Sequence, residues 1–133
     1  MSNQTVLNKL EHFLLSSVVG DIEPLYILYS EAIRDIEGSN LDLILEALVK
    51  LVDAGLTNCF FQDDKPPNTI TLCENITIDQ LKKHCSNRTE EELREYPEYR
   101  DGESDGEYNF EATDKGKLEE SKDIYEKYYI NDD

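Results

Sequence analysis

Asn40-Leu41-Asp42-Leu43-Ile44-Leu45-Glu46-Ala47-Leu48-Val49-Lys50-Leu51-Val52-Asp53-Ala54-Gly55-Leu56-Thr57-Asn58-Cys59-Phe60-Phe61-Gln62 sets the architecture, together with a distant run, Tyr108-Asn109-Phe110-Glu111-Ala112-Thr113-Asp114-Lys115-Gly116-Lys117. Leu41, Ile44, Leu45, Leu48, Leu51 and Val52 recur with helical period and predict one apolar face. Asn40 or Ser39 suits the start of that helix, and Gly55 stands where a C-terminal glycine stop belongs. Thr57 to Gln62 is rich in aromatic residues and reads as a strand. In the second run Tyr108, Phe110 and Ala112 alternate with Glu107, Asn109 and Glu111, as in a half-buried strand. Thr113 or Asp114 then caps another helix.

Outward from these runs the chain continues as helices. Residues 4–18 predict a first helix with Leu7, Leu10, Leu14 and Val18 on one face and Phe13 beside it. Gly20 and Asp21 break it. Asp21 is the expected cap of a second helix, with Pro24 in its first turn and the stripe Leu25, Leu28, Tyr29, Ala32, Ile33 and Ile36. Glu37 to Asn40 is a turn. Three amphipathic helices on short turns must pack on one another to bury their stripes. Pro66-Pro67 marks a loop, and Thr69 to Cys73 a short strand with Ile70 and Leu72 on one side. Thr77 with Gln80, and Thr89 with Glu92, have capping-box spacing and predict short helices over 78–86 and 90–95. Arg100 to Gly106 reads as a mobile loop. Residues 115–129 predict a final helix with Leu118, Ser121, Tyr125 and Tyr128 on one side.

The order of an amphipathic helix, Gly55-Leu56, a strand, and then a second strand ending Ala112-Thr113-Asp114-Lys115-Gly116-Lys117 resembles a winged-helix domain over residues 4–62 and 107–128. The resemblance implies an α+β fold over 1–133. It comprises a three-helix core, a small antiparallel sheet, a helical insertion over about 63–106 between the wing strands, and a C-terminal helix. Winged-helix relatives often dimerise through that last helix, so Leu118, Tyr125, Tyr128 and Tyr129 are the expected contacts of a homodimer.

Charge narrows the function. The chain has 133 residues, 38% of them hydrophobic and 32% charged, with a net charge of −17. Net charge is −6 over residues 1–89 and −11 over 90–133. Such a surface repels nucleic acid and anionic membranes and suits a basic protein partner. A winged helix that reads DNA does so with its third helix. Here the outward positions of that helix are Asp42, Glu46, Val49, Lys50 and Asp53, with no arginine to read guanine. No specific nucleic-acid binding is expected. No signal peptide and no membrane-spanning run is apparent, so the expected location is cytoplasmic. Three cysteines, Cys59, Cys73 and Cys85, form no disulfide framework and are expected to be reduced.

Catalytic and metal chemistry find little support. A zinc site from Cys59, Cys73, His84 and Cys85 lacks close ligand pairs, and adjacent His84 and Cys85 do not turn to one ion easily. His84 is expected at the surface, and His12 as a packing or surface residue. No nucleophile elbow or glycine-rich phosphate loop is present. The expectation is a non-enzymatic protein without cofactor or metal. The acidic stretch from Glu90 to Tyr108 is the candidate interface. Glu95, Glu98, Asp101, Glu103 and Asp105 would steer a basic partner, and Tyr96 and Tyr99 would anchor it. Small acidic proteins that neutralise nuclease toxins use this logic, so an immunity or antitoxin-type inhibitor is the leading reading. A winged-helix transcriptional regulator or accessory subunit comes second, and a small enzyme third.

Overall fold

A computed structural model of the chain describes residues 6–63, 66–85 and 106–129. The elements run α1 (Lys9–Ser17), β1 (Glu23–Pro24), α2 (Leu25–Asp35), α3 (Leu41–Asp53), β2 (Thr57–Asp63), β3 (Ile70–Cys73), α4 (Ile78–His84), β4 (Gly106–Ala112) and α5 (Asp114–Glu120), with a closing 3₁₀ helix over Asp123–Tyr128. The fold is α+β. Its sheet has the strand order β1-β4-β2-β3, and every neighbouring pair is antiparallel.

The three helical stripes meet as their spacing requires. Leu14, Leu25, Leu28, Ile44, Leu45, Leu48 and Leu51 are buried together. Asn40 caps α3 by accepting from Leu43 N–H at 2.9 Å. Gly55 follows with φ +76°, a left-handed conformation that glycine adopts without steric cost. Against this helix layer the sheet turns Thr57, Cys59, Phe110 and Ala112, all buried. Phe60 and Leu72, which pair across β2 and β3, lie on the opposite face by the pleat.

The two runs that frame the fold grip each other directly. Thr113 N–H donates to Leu56 O at 3.0 Å. Thr113 Oγ1 donates to Gly55 O at 2.7 Å, and Lys115 Nζ to Ala54 O at 3.1 Å. These are carbonyls that the end of α3 leaves without helical partners. The Thr113 hydroxyl also accepts from Gly116 N–H, capping α5. Gly116 itself presses on the chain turn: a Cβ there would lie 1.9 Å from Leu56 O. Gly55-Leu56 and Thr113-Asp114-Lys115-Gly116 are thus two halves of one joint.

Four local expectations are corrected. Helix α1 begins at Lys9, because Asn8 and Glu11 form a capping box: Asn8 accepts from Glu11 N–H and Glu11 from Asn8 N–H, each at 2.8 Å. Asp21 does not cap α2. Its carboxylate accepts from Ile22 N–H, and Glu23–Pro24 pair with β4 as a two-residue edge strand before the helix starts. The residue before a proline disfavours helix, and an edge strand tolerates the missing N–H. Gly106 is the first residue of β4 rather than the end of a loop. The final helix is broken: α5 ends at Glu120 with Ser121 as its C-cap, Lys122 is extended, and the 3₁₀ turn follows. That break turns Tyr125 inward while Leu118 stays 72% exposed. The expected helix over 78–86 is α4, and its Thr77–Gln80 capping box is present. The helix expected over 90–95 lies outside the described residues.

Candidate functional site

The outer side of α3 and its surroundings form the first candidate. Asp42, Glu46 and Asp53 are exposed there. Lys50 is not free: its Nζ lies 3.0 Å from Glu11 Oε2, while Glu11 Oε1 serves the capping box. Both oxygens of this buried carboxylate are therefore occupied, and Lys50 braces α3 to α1. Lys82 of α4 pairs with Asp42 at 3.0 Å. Val49, expected to point outward, is half-buried and packs on the core. Alongside lies an open groove of about 520 Å³, lined in part by Lys9, Glu11, Leu43, Glu46 and Lys50. Lys50 and Lys82 are bound to carboxylates, and Lys9 Nζ lies over the Tyr129 ring, 5.9 Å from its centroid.

The C-terminal segment builds a second polar cluster on α1. His12 is buried and stacks on Tyr125, with ring centroids 4.5 Å apart. Its Nε2 lies 2.9 Å from Glu120 O, and its Nδ1 lies 2.8 Å from Tyr129 Oη. A carbonyl only accepts, so Nε2–H donates to it, which leaves Nδ1 facing the tyrosine hydroxyl. Tyr125 accepts from Leu7 N–H at 3.1 Å and donates to the Glu119 carboxylate. Tyr128 donates to Leu7 O at 2.7 Å. Burial and the Glu119 bond push the Tyr125 hydroxyl up to about 12. Burial would raise the Glu119 carboxyl, but hydrogen bonds from Lys122 and Tyr125 outweigh it and hold it below its ordinary value. An open cleft of about 350 Å³ adjoins this cluster, bordered by His12, Ser16, Glu120 and Tyr129.

The four residues expected at a dimer contact divide between two environments. Tyr125 is 1% exposed and Tyr128 half-buried, and both hydroxyls hold the segment before α1. Leu118 and Tyr129, the latter 39% exposed, remain at the surface. The seven residues expected to bind a partner, Glu95, Tyr96, Glu98, Tyr99, Asp101, Glu103 and Asp105, lie outside the described residues.

A third cluster sits where α4 meets the sheet. His84 Nε2 lies 3.3 Å from Glu107 Oε1, with both side chains about one-tenth exposed. The same carboxylate oxygen accepts from Tyr108 N–H at 3.2 Å. Tyr108 sits edge-on to both His84 and Phe61. His84 is therefore not the surface residue expected, and Glu107 is buried although strand alternation put it outside. Burial, then the neighbouring Cys73 and Cys59 thiols, raises the Tyr108 hydroxyl above its ordinary value. Among the described residues no group of three or more His, Cys, Asp or Glu side chains could hold a metal ion. No helix among them is long and apolar enough to cross a membrane.

Sequence reasoning missed the roles of Glu11 and Leu15, both buried; of the two places expected for His12, packing or surface, the structure shows packing. A single stripe through Leu7, Leu10, Leu14 and Val18 describes a helix covered on one side. Helix α1 is covered on two, by α3 and by the C-terminal segment. The Asn8–Glu11 spacing was the available signal for part of this. Searches against protein-family models, curated proteins and solved structures find no match to this chain.

Proposed function

We propose that this chain is a winged-helix-type domain that works as a non-enzymatic, acidic protein-binding module, inhibiting a basic partner. A nuclease toxin is the partner class its charge suits. The strand order supports the fold assignment: β1, between the first two helices, pairs with β4, which pairs with β2 on its other side. The insertion then lies between the two wing strands. The observation that carries the functional reading is the outer side of α3. Where a DNA reader presents cations, this helix presents Asp42, Glu46 and Asp53, and Lys50 is bound to buried Glu11.

Carboxylates set against phosphates oppose binding, whereas carboxylates set against a basic protein speed its capture. In the sequence, Glu95, Glu98, Asp101, Glu103 and Asp105 add further acidic charge, and Tyr96 and Tyr99 are the anchors the proposal requires. The test is capture from the source cell at low salt, followed by rate measurements with the basic protein retained. Neutralising Glu98 and Asp101 should slow association and flatten its salt dependence. Tyr96→Ala or Tyr99→Ala should speed dissociation, at about 2 kcal/mol each. If these variants and a Glu46→Gln, Asp53→Asn pair all bind like the parent, the acidic-interface reading fails. Light scattering at low and high salt decides whether Leu118 and Tyr129 support a homodimer.

A further inference from the structure

The register of β2 against β3 sets Cys59 directly opposite Cys73. Both cysteines are free, and Cys73 Sγ donates to Thr71 O at 3.7 Å. The ladder itself fixes the kind of pair they form. Gln62 faces Ile70, so Asp63 faces Thr69, and Asp63 N–H donates to Thr69 O at 3.0 Å. Hydrogen-bonded and non-hydrogen-bonded pairs alternate along an antiparallel ladder. Counting back by twos, Phe61–Thr71 and Cys59–Cys73 are hydrogen-bonded pairs, for which Cα atoms stand about 5.5 Å apart. That lies within the range of about 4.4–6.8 Å that a disulfide spans. The Cβ atoms of facing residues, at about 4.5–5.5 Å, are wider apart than the roughly 3.5–4.5 Å of a relaxed disulfide. Closing the bond therefore draws the strands together, and strain of this kind makes a disulfide easily reduced.

The two cysteines differ in access. Cys59 is fully buried on the core face of β2, and Cys73 is half-buried on the outermost strand. Burial, then the adjacent Cys73, raises the Cys59 thiol and keeps it protonated. Cys73 is thus the sulfur an oxidant meets first, and Cys59 the one positioned to resolve the product.

We propose that Cys59 and Cys73 form a reversible thiol pair that hydroperoxides close into a cross-strand disulfide. The Cys73 sulfur attacks one peroxide oxygen and the O–O bond breaks. The departing oxygen leaves as water, or as an alcohol from an alkyl peroxide, taking the thiol proton. Cys73 is left as a sulfenic acid. The Cys59 sulfur then attacks the Cys73 sulfur and the S–O bond breaks. The hydroxyl leaves as water with the Cys59 proton. Two thiols lose two electrons in all, and one peroxide gains them. A thiol reductant reopens the bond by exchange. The second step is the slow one, because the buried Cys59 thiol must lose its proton as it attacks. Closure pins β3, which among the described residues pairs with β2 alone and carries Ile70, 61% exposed, and Leu72, 48% exposed.

The experiment uses the full reduced chain treated with hydrogen peroxide, then alkylated, digested and mapped by mass spectrometry. The expected product is a peptide pair joined through Cys59 and Cys73, lighter by about 2 Da than the two reduced peptides. Cys85 should remain alkylated, and reduced glutathione should restore both thiols. Cys73→Ser, at a half-exposed position, should melt like the parent and give no link. In Cys59→Ala the Cys73 sulfenic acid should persist and be trapped by dimedone. If that buried variant does not fold, the mapping of the parent decides alone. A link through Cys85, a dimer joined between chains, Cys73 running on to sulfinic acid with Cys59 still free, no link at millimolar peroxide, or a link that glutathione leaves closed would each overturn the proposal.

Discussion

Gly116→Ala separates tertiary packing from local propensity, because the two predict opposite signs. Gly116 lies in the first turn of α5. On propensity alone alanine is better there by about 1 kcal/mol. The structure reverses this. The new Cβ would sit 1.9 Å from Leu56 O and 2.9 Å from its carbonyl carbon, with Leu15 Cδ1 at 3.2 Å. The first two are backbone atoms held by Thr113 N–H and its neighbours, so they cannot swing aside as a side-chain tip would. Relief requires α5 to withdraw by about 1 Å or more, the distance by which such a contact falls short of van der Waals separation. Overpacking of this kind costs about 1–3 kcal/mol. Withdrawal also stretches the two bonds from Thr113 to the Gly55 and Leu56 carbonyls, at about 1 kcal/mol each, while the flexible Lys115 side chain can follow. Setting the helix gain against these leaves a net loss of about 2–4 kcal/mol.

For a chain of this size that corresponds to a fall in Tm of roughly 8–15 °C. Urea unfolding followed by far-ultraviolet circular dichroism gives the same quantity at 25 °C. Lys115→Met is the companion variant: it removes one exposed bond without crowding and should cost no more than about 1 kcal/mol. A Gly116→Ala protein as stable as the parent, or more stable, would refute the joint between the two signature runs.

Leu48→Ala should cost about 2–5 kcal/mol through the cavity it leaves, and an unchanged melt would remove Leu48 from the core. Lys50→Met should cost about 1–3 kcal/mol by leaving the buried Glu11 carboxylate short of a partner, with Lys50→Arg largely restoring it; equal urea midpoints for all three proteins would show the brace to be idle. Tyr125 predicts alkaline sensitivity. Its hydroxyl, ordinarily at 10.0 and pushed up to about 12, holds its proton more tightly folded than unfolded. Its contribution is therefore complete below about pH 10 and is lost as pH rises towards 12; Tyr125→Phe should flatten that part of the profile, and an unaltered profile would assign the loss elsewhere. Anisotropy titration with duplex DNA at about 50 mM salt should show nothing tighter than about 10⁻⁴ M, and a nanomolar site found by selection would restore the regulator reading.

What the sequence made legible follows from periodicity and local chemistry. The stripes of α2 and α3, the Asn40 cap, the Gly55 stop, the Thr77–Gln80 box and the core face of β4 all depend on neighbours within a few residues. Their signals survive in one dimension. Strand β1 was not legible because two residues carry no period, and Pro24 reads as a helix start when its partner strand lies 85 residues away. The break at Lys122 was hidden for a related reason: Leu118, Tyr125 and Tyr128 fit one helical side, and only the Leu7 backbone, captured by Tyr125 and Tyr128, shows that the side must split. His84 and Glu107 appeared exposed because each was judged against its own element, and they bury one another across 23 residues.

The cations of this acidic chain stand where its fold needs them. With 13 Lys and Arg against 30 Asp and Glu, repulsion between carboxylates opposes compaction. Lys50 joins α3 to α1, Lys82 joins α4 to α3, Lys115 closes the end of α3, and Lys122 holds the Glu119 carboxylate on which Tyr125 depends. Each lies where two segments meet, so each offsets repulsion at a contact the fold requires. The same placement leaves Lys50, Lys82 and Lys122 poorly suited to bind phosphate, since recruiting one would release a carboxylate beside the ligand. On the proposed reading a basic protein meets no such obstacle: Asp42, Glu46 and Asp53 lie along one exposed side of α3, and its cations add to or displace the Lys82 that already pairs with Asp42. On that reading the lysines that offset a charge of −17 at internal contacts also leave the outer side of α3 acidic.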